Sequence, residues 1–290
     1  MNILISESGG PAAMGMIKSL WQTEGYGNIV TVDSNRLSAG NGFSDKSYVV
    51  PAADDSEFWP KIMEIIQNEN IELIIPTSEN DLQMFADSKE ALEAMGVTLF
   101  MSDSDTIDVC QDKWKFYNKC KDGFPLPKTY KGKFFKRPIR GKGSRGCEKL
   151  NVTNDDIISE YLSGKEWTID VLCDLDSNVL SVVPRIRLET KAGISTKGQL
   201  IHNEFIENTC KSLCNFLSLK GPVCIQMKED ENGIPHLLEV NPRSGGGSYL
   251  ATMAGVNFAE IIVKLVKGEE VKIEDFKEQT IVRYYEEVAI

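Results

Sequence analysis

Over its first hundred residues the chain alternates short β-branched runs with stretches of helical apolar spacing. NILIS is followed by PAAMGMIKSLWQ, then IVTVD, SYVVP, EFWPKIMEIIQ, IELIIP, a helical stretch over DLQMFADSKEALEAM, and VTLFM. Strands separated by crossover helices can pair only in parallel, with both faces of the sheet covered. The pattern predicts a doubly wound, Rossmann-like α/β domain over 1–101.

The turn after the first run, SESGGPAAMG, lacks the G-x-G-x-x-G order of a dinucleotide site, although Asp33 closes the second run where a ribose-binding acid would sit. Gly9 and Gly10 are therefore read as a tight strand-to-helix turn. A polar start and a short helix closed by Gly123 and Pro125 make 102–131 a linker helix. From there the pattern changes. KGKFFKRPIRGKGSRGCEKL crowds Lys and Arg around four glycines, which suits a phosphate chain because exposed N–H groups and cations converge on it. Beyond it come EWTIDVLC, VLSVVPRIRLE, a helix over HNEFIENTCKSLCNFLSL, VCIQMKED, HLLEVNP and a last helix over YLATMAGVNFAEIIVKLVKG. Hairpins with polar turns and two helices describe an antiparallel α+β unit over 166–290, after a small segment at 132–165.

HLLEVNPRSGGGSYL holds the sharpest local anomaly. If the run is one regular strand, Glu239, Asn241 and Arg243 share a face opposite Val240. An acid, an amide and a base gathered on one face call for a charged partner, since polar groups taken from water cost free energy when unpaired.

Bulk properties narrow the partners. A formal charge of −11 and a pI near 4.9 argue against a nucleic-acid surface. The seven cysteines include one C-x-x-x-C pair and no C-x-x-C, a scatter that suits reduced thiols. With no basic leader and no apolar run near the roughly 20 residues of a membrane helix, the expectation is a cytoplasmic protein with no membrane partner.

Taken in order, the lysine in QDKWKF, the motif RPIRGKGSRG, EYLSGKEWTIDV and IQMKEDENGIPHLLEVNPRSGGG resemble the ATP-grasp superfamily, most closely its carbamoyl-phosphate-synthase-like branch. The resemblance runs from about Ile3 to Val288. It implies α+β ATP-grasp domains behind the Rossmann-like one, with a reduced lid, because the stretches between Thr129 and Arg137 and between Gly146 and Glu160 are short for the family. It implies ATP with Mg²⁺, or Mn²⁺ in its place.

By the same resemblance, Arg137 is the phosphate cation before the loop of Gly141, Gly143, Ser144 and Gly146, with Lys136 facing the other side of the strand. Lys113 is similar to an earlier phosphate-reaching lysine. Glu160, Tyr161 and Leu162 correspond to the adenine hinge, and Glu166 to the ribose acid. Glu239, Asn241 and Gln226 correspond to the metal ligands, and Arg243 to the residue that steadies the transferring phosphoryl group. Arg185 and Arg187, on alternate positions of VVPRIRLE, are candidates to grip an acceptor carboxylate, with surface arginines on an edge strand as the alternative. Ser195 stands in KAGISTKG where carbamoyl-phosphate synthases carry His, which weakens carbamate chemistry.

The activity so implied is ligation of a small-molecule carboxylate to an amine through an acyl phosphate, with release of ADP. Formation of a carboxy or carbamoyl phosphate from bicarbonate, or a non-catalytic ATP sensor, are the alternatives. Neither His202 nor His236 is placed as an obvious general base, and a homo-oligomer is left open.

Overall fold

The computed structural model describes residues 1–136, 138, 139 and 147–290. The first domain is built from β1 (Asn2–Ser6), α1 (Pro11–Leu20), β2 (Ile29–Asp33), β3 (Lys46–Val49), α2 (Phe58–Asn68), β4 (Ile71–Ile75), α3 (Leu82–Asp87), α4 (Lys89–Ala94) and β5 (Thr98–Leu99). Its five parallel strands run in the order β3-β2-β1-β4-β5. Every residue of β2 is buried, as a sheet covered on both faces requires. One apolar cluster joins Leu4, Val30, Ile62, Ile65 and Phe85 on one side, and another joins Ile3, Ile5 and Ile17 on the other.

The stretch expected as a single helix over DLQMFADSKEALEAM breaks at Ser88, whose backbone leaves the helical region (φ −97°, ψ 5°). Asp87 Oδ1 accepts from Ser104 Oγ at 2.5 Å and Gln83 Nε2 at 2.8 Å, which ties the end of α3 to Ser104. The linker is likewise two helices, α5 (Ser104–Gln111) and α6 (Lys113–Cys120). Asp112 divides them, because its Oδ1 accepts from the N–H groups of Trp114 (2.8 Å) and Lys115 (2.9 Å) and so caps the second.

Two small two-stranded sheets follow, β6 (Thr129–Lys131) with β9 (Ile157–Ser159), and β7 (Phe135–Lys136) with β8 (Glu148–Lys149). No helix occurs among the described residues of 132–165. The remainder comprises β10 (Glu166–Cys173), β11 (Val179–Lys191), β12 (Ile194–Leu200), α7 (Glu204–Leu217), β13 (Gly221–Glu229), β14 (Pro235–Asn241), α8 (Tyr249–Met253), α9 (Phe258–Val266) and β15 (Gln279–Val282). Its antiparallel sheet has the order β14-β13-β10-β11-β12-β15. The expected last helix is split by Gly255, whose φ of +105° no L-residue adopts easily; Asn257 then caps α9.

Strand alternation gives this sheet two unlike faces. Trp167, Ile169, Val171, Ile225, Met227, Leu237 and Val240 pack against Ile206, Cys210, Leu213, Cys214 and Leu217 of α7, an apolar stripe at helical spacing. The opposite face carries the polar residues and turns toward the first domain.

Candidate active site

One row of cross-strand partners spans four strands on that polar face: Glu239, Gln226, Thr168 and Arg185. Strand β14 is not regular. Gln226 pairs with Glu239 but Met227 pairs with Leu237, so Leu238 is a β-bulge. The bulge lets Leu237 and Val240 both enter the core while Leu238 and Glu239 stay on the polar side. The strand ends at Asn241, so Arg243 does not continue the face as expected. It sits in a tight turn in which its N–H donates to the Asn241 carbonyl at 2.8 Å.

Glu239 is the centre of the cluster. Its Oε2 lies 2.7 Å from Lys113 Nζ, and its Oε1 accepts from Asn241 Nδ2 at 3.3 Å. Burial acts to raise this carboxyl, but the Lys113 ammonium, the Asn241 amide and the Arg243 guanidinium together hold it below the ordinary carboxylate range. It is thus ionised at neutral pH. Arg243 is ion-paired with Glu79 of the first domain and donates to the Ser244 carbonyl at 2.8 Å.

The Gln226–Glu239–Asn241 ridge stands between two cavities. On one side an apolar slot of about 260 Å³ is lined by Phe116, Leu126, Pro127, Ile157 and Leu238 with Lys113, Gln226 and Glu239 at its polar end. On the other, a cavity of about 370 Å³ lies between the domains, lined by Glu7, Glu79, Arg185, Arg187 and Arg243 and by the backbone of Gly245, Gly246 and Gly247.

Arg185 and Arg187 are not on an edge strand, since β11 lies inside the sheet. Arg185 is fully buried; its Nε donates to Asp170 Oδ2 and its Nη1 to Ser195 Oγ, each at 2.9 Å. Arg187 pairs with Glu166 and donates to the Gly193 carbonyl, while its Nε is buried without a partner among the described residues. The glycine run follows from this packing. A Cβ on Gly247 would lie 2.6 Å from Arg185 Nη2, and one on Gly245 2.7 Å from Cys224 Sγ.

Glu166 is engaged with Arg187, and Glu160, Tyr161 and Leu162 do not line the slot; Ile157 and Ser159 of β9 do. Tyr161 is almost wholly exposed and Leu162 is buried. Arg137, Gly141, Gly143, Ser144 and Gly146 lie outside the described residues. Lys136 is ion-paired with Glu148 at 2.7 Å. Asp33 is engaged by its own turn rather than presented as a ribose acid: it accepts from the N–H of Gly9 through Oδ2 and of Asn35 through Oδ1, each at 2.7 Å. Neither histidine lines the slot or the interdomain cavity. Sequence reasoning missed the Asp170–Arg185–Ser195 cluster, the slot residues Phe116, Leu126 and Leu238, and the role of Glu79.

A parallel-sheet domain placed against the polar face of an antiparallel sheet, with a small β-lobe covering an apolar slot, is the ATP-grasp architecture. The comparisons agree. Residues 153–288 match the family described as ATP-grasp in the biosynthetic pathway with Ter operon, and residues 4–100 match the PylC-like N-terminal domain. These matches, together with the fold, support membership of the ATP-grasp superfamily, on the branch shared by carboxylate–amine ligases and carbamoyl phosphate synthases.

It is 21% identical over 228 residues to tyramine–L-glutamate ligase of Methanocaldococcus jannaschii, covering 77% of this chain and 72% of that one. It is 22% identical to the carbamoyl phosphate synthase large chain of Agathobacter rectalis, covering 63% of this chain but 21% of that much longer one. Among solved structures, N5-carboxyaminoimidazole synthetase from Staphylococcus aureus superposes with a TM-score of 0.69 at 15% identity, covering 97% of this chain and 81% of that chain. No helix among the described residues is long and apolar enough to cross a membrane.

Proposed function

We propose that the chain is an ADP-forming ligase that uses Mg-ATP to phosphorylate a small-molecule carboxylate and passes the acyl group to an amine. In balance, a carboxylate oxygen attacks the γ-phosphorus of ATP and ADP leaves. The amine lone pair then attacks the acyl carbon, phosphate leaves, and the amine gives up a proton. The observation that carries this reading is the ridge itself: an ionised carboxylate flanked by two amides, with a nucleotide-suited apolar slot on one side and an arginine-lined cavity on the other.

In this reading Lys113 meets the phosphates, and Leu126 and Leu238 receive the adenine ring, with the Glu160–Leu162 hinge beside it. Glu166 faces the ribose, and Arg137 with the loop of Gly141, Gly143, Ser144 and Gly146 adds the remaining phosphate donors. Residues 1–101 supply the acceptor side, 102–131 carry Lys113, 132–165 form the small lid and 166–290 hold the phosphates.

The donor set fits magnesium, which takes hard oxygen ligands and keeps several waters: Glu239 offers a carboxylate, and Gln226 and Asn241 offer amide oxygens. No cluster of three His, Cys, Asp or Glu occurs among the described residues, so the phosphates complete the set. Held by Glu239, Gln226 and Asn241, such a cation would supply charge neutralisation at the nucleotide phosphates. Arg243, beside the ridge and lining the cavity, neutralises charge on the phosphoryl group in flight, a role that depends on placement more than on proton transfer. Arg187, with a free Nε, and the anchored Arg185 orient the acceptor carboxylate. A cavity of about 370 Å³ holds a small acid, not a macromolecule.

The test is ADP release from Mg-ATP with hydroxylamine and pooled small carboxylic acids, with hydroxamate as the second readout. Hydroxamate from one pool is the expected result. ATP binding without ADP from any pool would instead fit a sensor, and ADP release stimulated by bicarbonate alone would fit carboxy-phosphate chemistry.

A further inference from the structure

The first domain contains another cavity, of about 360 Å³, at the carboxyl ends of β1, β2 and β3 and the loop after β4. Its charged lining is wholly acidic, Glu7, Asp33, Asp54 and Asp81 beside the neutral Ser34 and Asn80, with no Lys or Arg among the described residues; the Asp33 oxygens already accept from Gly9 and Asn35. Val32, Val50 and Phe58 add apolar wall. Glu7 and Asn80 line this cavity and the arginine-lined one alike, so the two adjoin.

Asp81 sets the cavity apart from an ordinary acidic surface. It stands at the N-cap of α3 but makes no capping bond, is 4% exposed, and its Oδ1 has no partner among the described residues. Burial pushes its carboxyl up to about 7, the Ser6 hydroxyl opposing the rise and the Glu7 charge adding to it. A buried carboxyl without a partner costs free energy that an arriving cation would offset. Glu7 is held in the left-handed region (φ 51°), with Oε1 accepting from Asn80 Nδ2 at 2.7 Å. That conformation is unfavourable for a non-glycine residue and persists only where its surroundings enforce it.

The acids do not converge closely enough to form a metal cluster. Separated acceptors around apolar wall suit an alkylammonium, which carries three N–H donors on a methylene chain.

We propose that this cavity binds a non-reacting ammonium group of the amine substrate, so that the preferred acceptor is a diamine or diamino acid whose other amine reaches the arginine-lined cavity. Only the word substrate rests on the ligase reading; the cation site stands on its own geometry.

The experiment measures binding to the full chain by calorimetry, pairing 1,5-diaminopentane with n-pentylamine and lysine with norleucine at neutral pH and constant ionic strength. A charge-assisted hydrogen bond predicts that each diamino probe binds at least about 10-fold more tightly than its partner. Glu7→Gln and Asp81→Asn each remove that preference; if the buried Asp81 variant fails to fold, Glu7→Gln decides. Equal binding of the paired probes, or a preference unchanged in the variants, overturns the proposal. Hydroxylamine trapping is run alongside. Hydroxamate without a diamine preference overturns the cation site and keeps the ligase; diamine binding without hydroxamate does the reverse.

Discussion

Lys113, the first residue of α6, lies 2.7 Å from Glu239 at the end of β14, so the proposed phosphate cation is held by the proposed metal carboxylate. Lys113 is more than half exposed and Glu239 about a quarter, so the pair can part when a nucleotide enters. Two unequal outcomes are expected. Glu239→Ala lowers Mg-dependent ADP formation by roughly 100-fold or more, since it removes the one carboxylate of the metal set. Lys113→Ala raises KM for ATP by about 10-fold, because one charge-assisted contact to phosphate is lost. Initial rates of ADP release against Mg-ATP concentration separate the two, and unchanged turnover in the Glu239 variant removes the metal assignment.

Arg185 behaves differently because it is part of the core. With its guanidinium fixed by Asp170 and Ser195, truncation to Ala strands a buried carboxylate and destabilises the fold by about 3–5 kcal/mol. Gly247→Ala presses a methyl group against the same guanidinium from the other side, and the anchored side chain cannot retreat. Chemical denaturation shows a large midpoint shift in the first case and a smaller one in the second, with weakened acid binding. A fully stable Arg185→Ala protein would contradict the burial argument.

What the chain discloses before its structure depends on the range of the rule applied. Strand and helix periods are local, so the parallel first domain and the hairpins after it follow from spacing, whereas the meeting of Glu239 with Gln226 is implied only by the family resemblance. The bulge at Leu238 does not, because one extra residue is invisible to an alternation that assumes none. Arg185 reads as an acceptor-gripping arginine, with an edge-strand surface arginine as the alternative; its burial is not legible because nothing local announces Asp170, 15 residues away on the neighbouring strand. The breaks at Ser88 and Gly255 were within reach, as Ser and Gly are both poor helix continuers, but the apolar spacing runs straight through them. Nothing in the sequence marks Asp81; only burial exposes its unpaired oxygen.

The thiols give a prediction independent of function. All seven cysteines are free, and six of them are buried, leaving Cys147 partly accessible. Burial pushes Cys110 and Cys224 up to about 12 and Cys210 higher still, so these stay as unreactive thiols at neutral pH. An aromatic disulfide reagent should therefore modify one thiol rapidly in the native protein and all seven only after unfolding. Cys147→Ser should remove the fast phase; a second fast thiol would show that the cores around α7 open readily.

Asp81 should be visible in the pH dependence of stability. Its carboxyl titrates from 3.8 in a solvated chain but from about 7 when folded. Below the lower value the carboxyl is protonated in both states. Between the two values the folded chain binds more protons than the unfolded one, so unfolding free energy falls as pH rises and levels off above about 7. The stabilisation is complete in acid and lost toward neutrality, and a shift of this size corresponds to up to about 4 kcal/mol. Asparagine cannot titrate, so Asp81→Asn should gain stability relative to the parent as pH is raised from about 5 to about 8. Urea denaturation at a series of pH values reads the difference directly, with other titrating groups common to both proteins. A difference that does not change with pH would mean that the Asp81 carboxyl is ionised throughout, and that the buried oxygen is already satisfied by solvent.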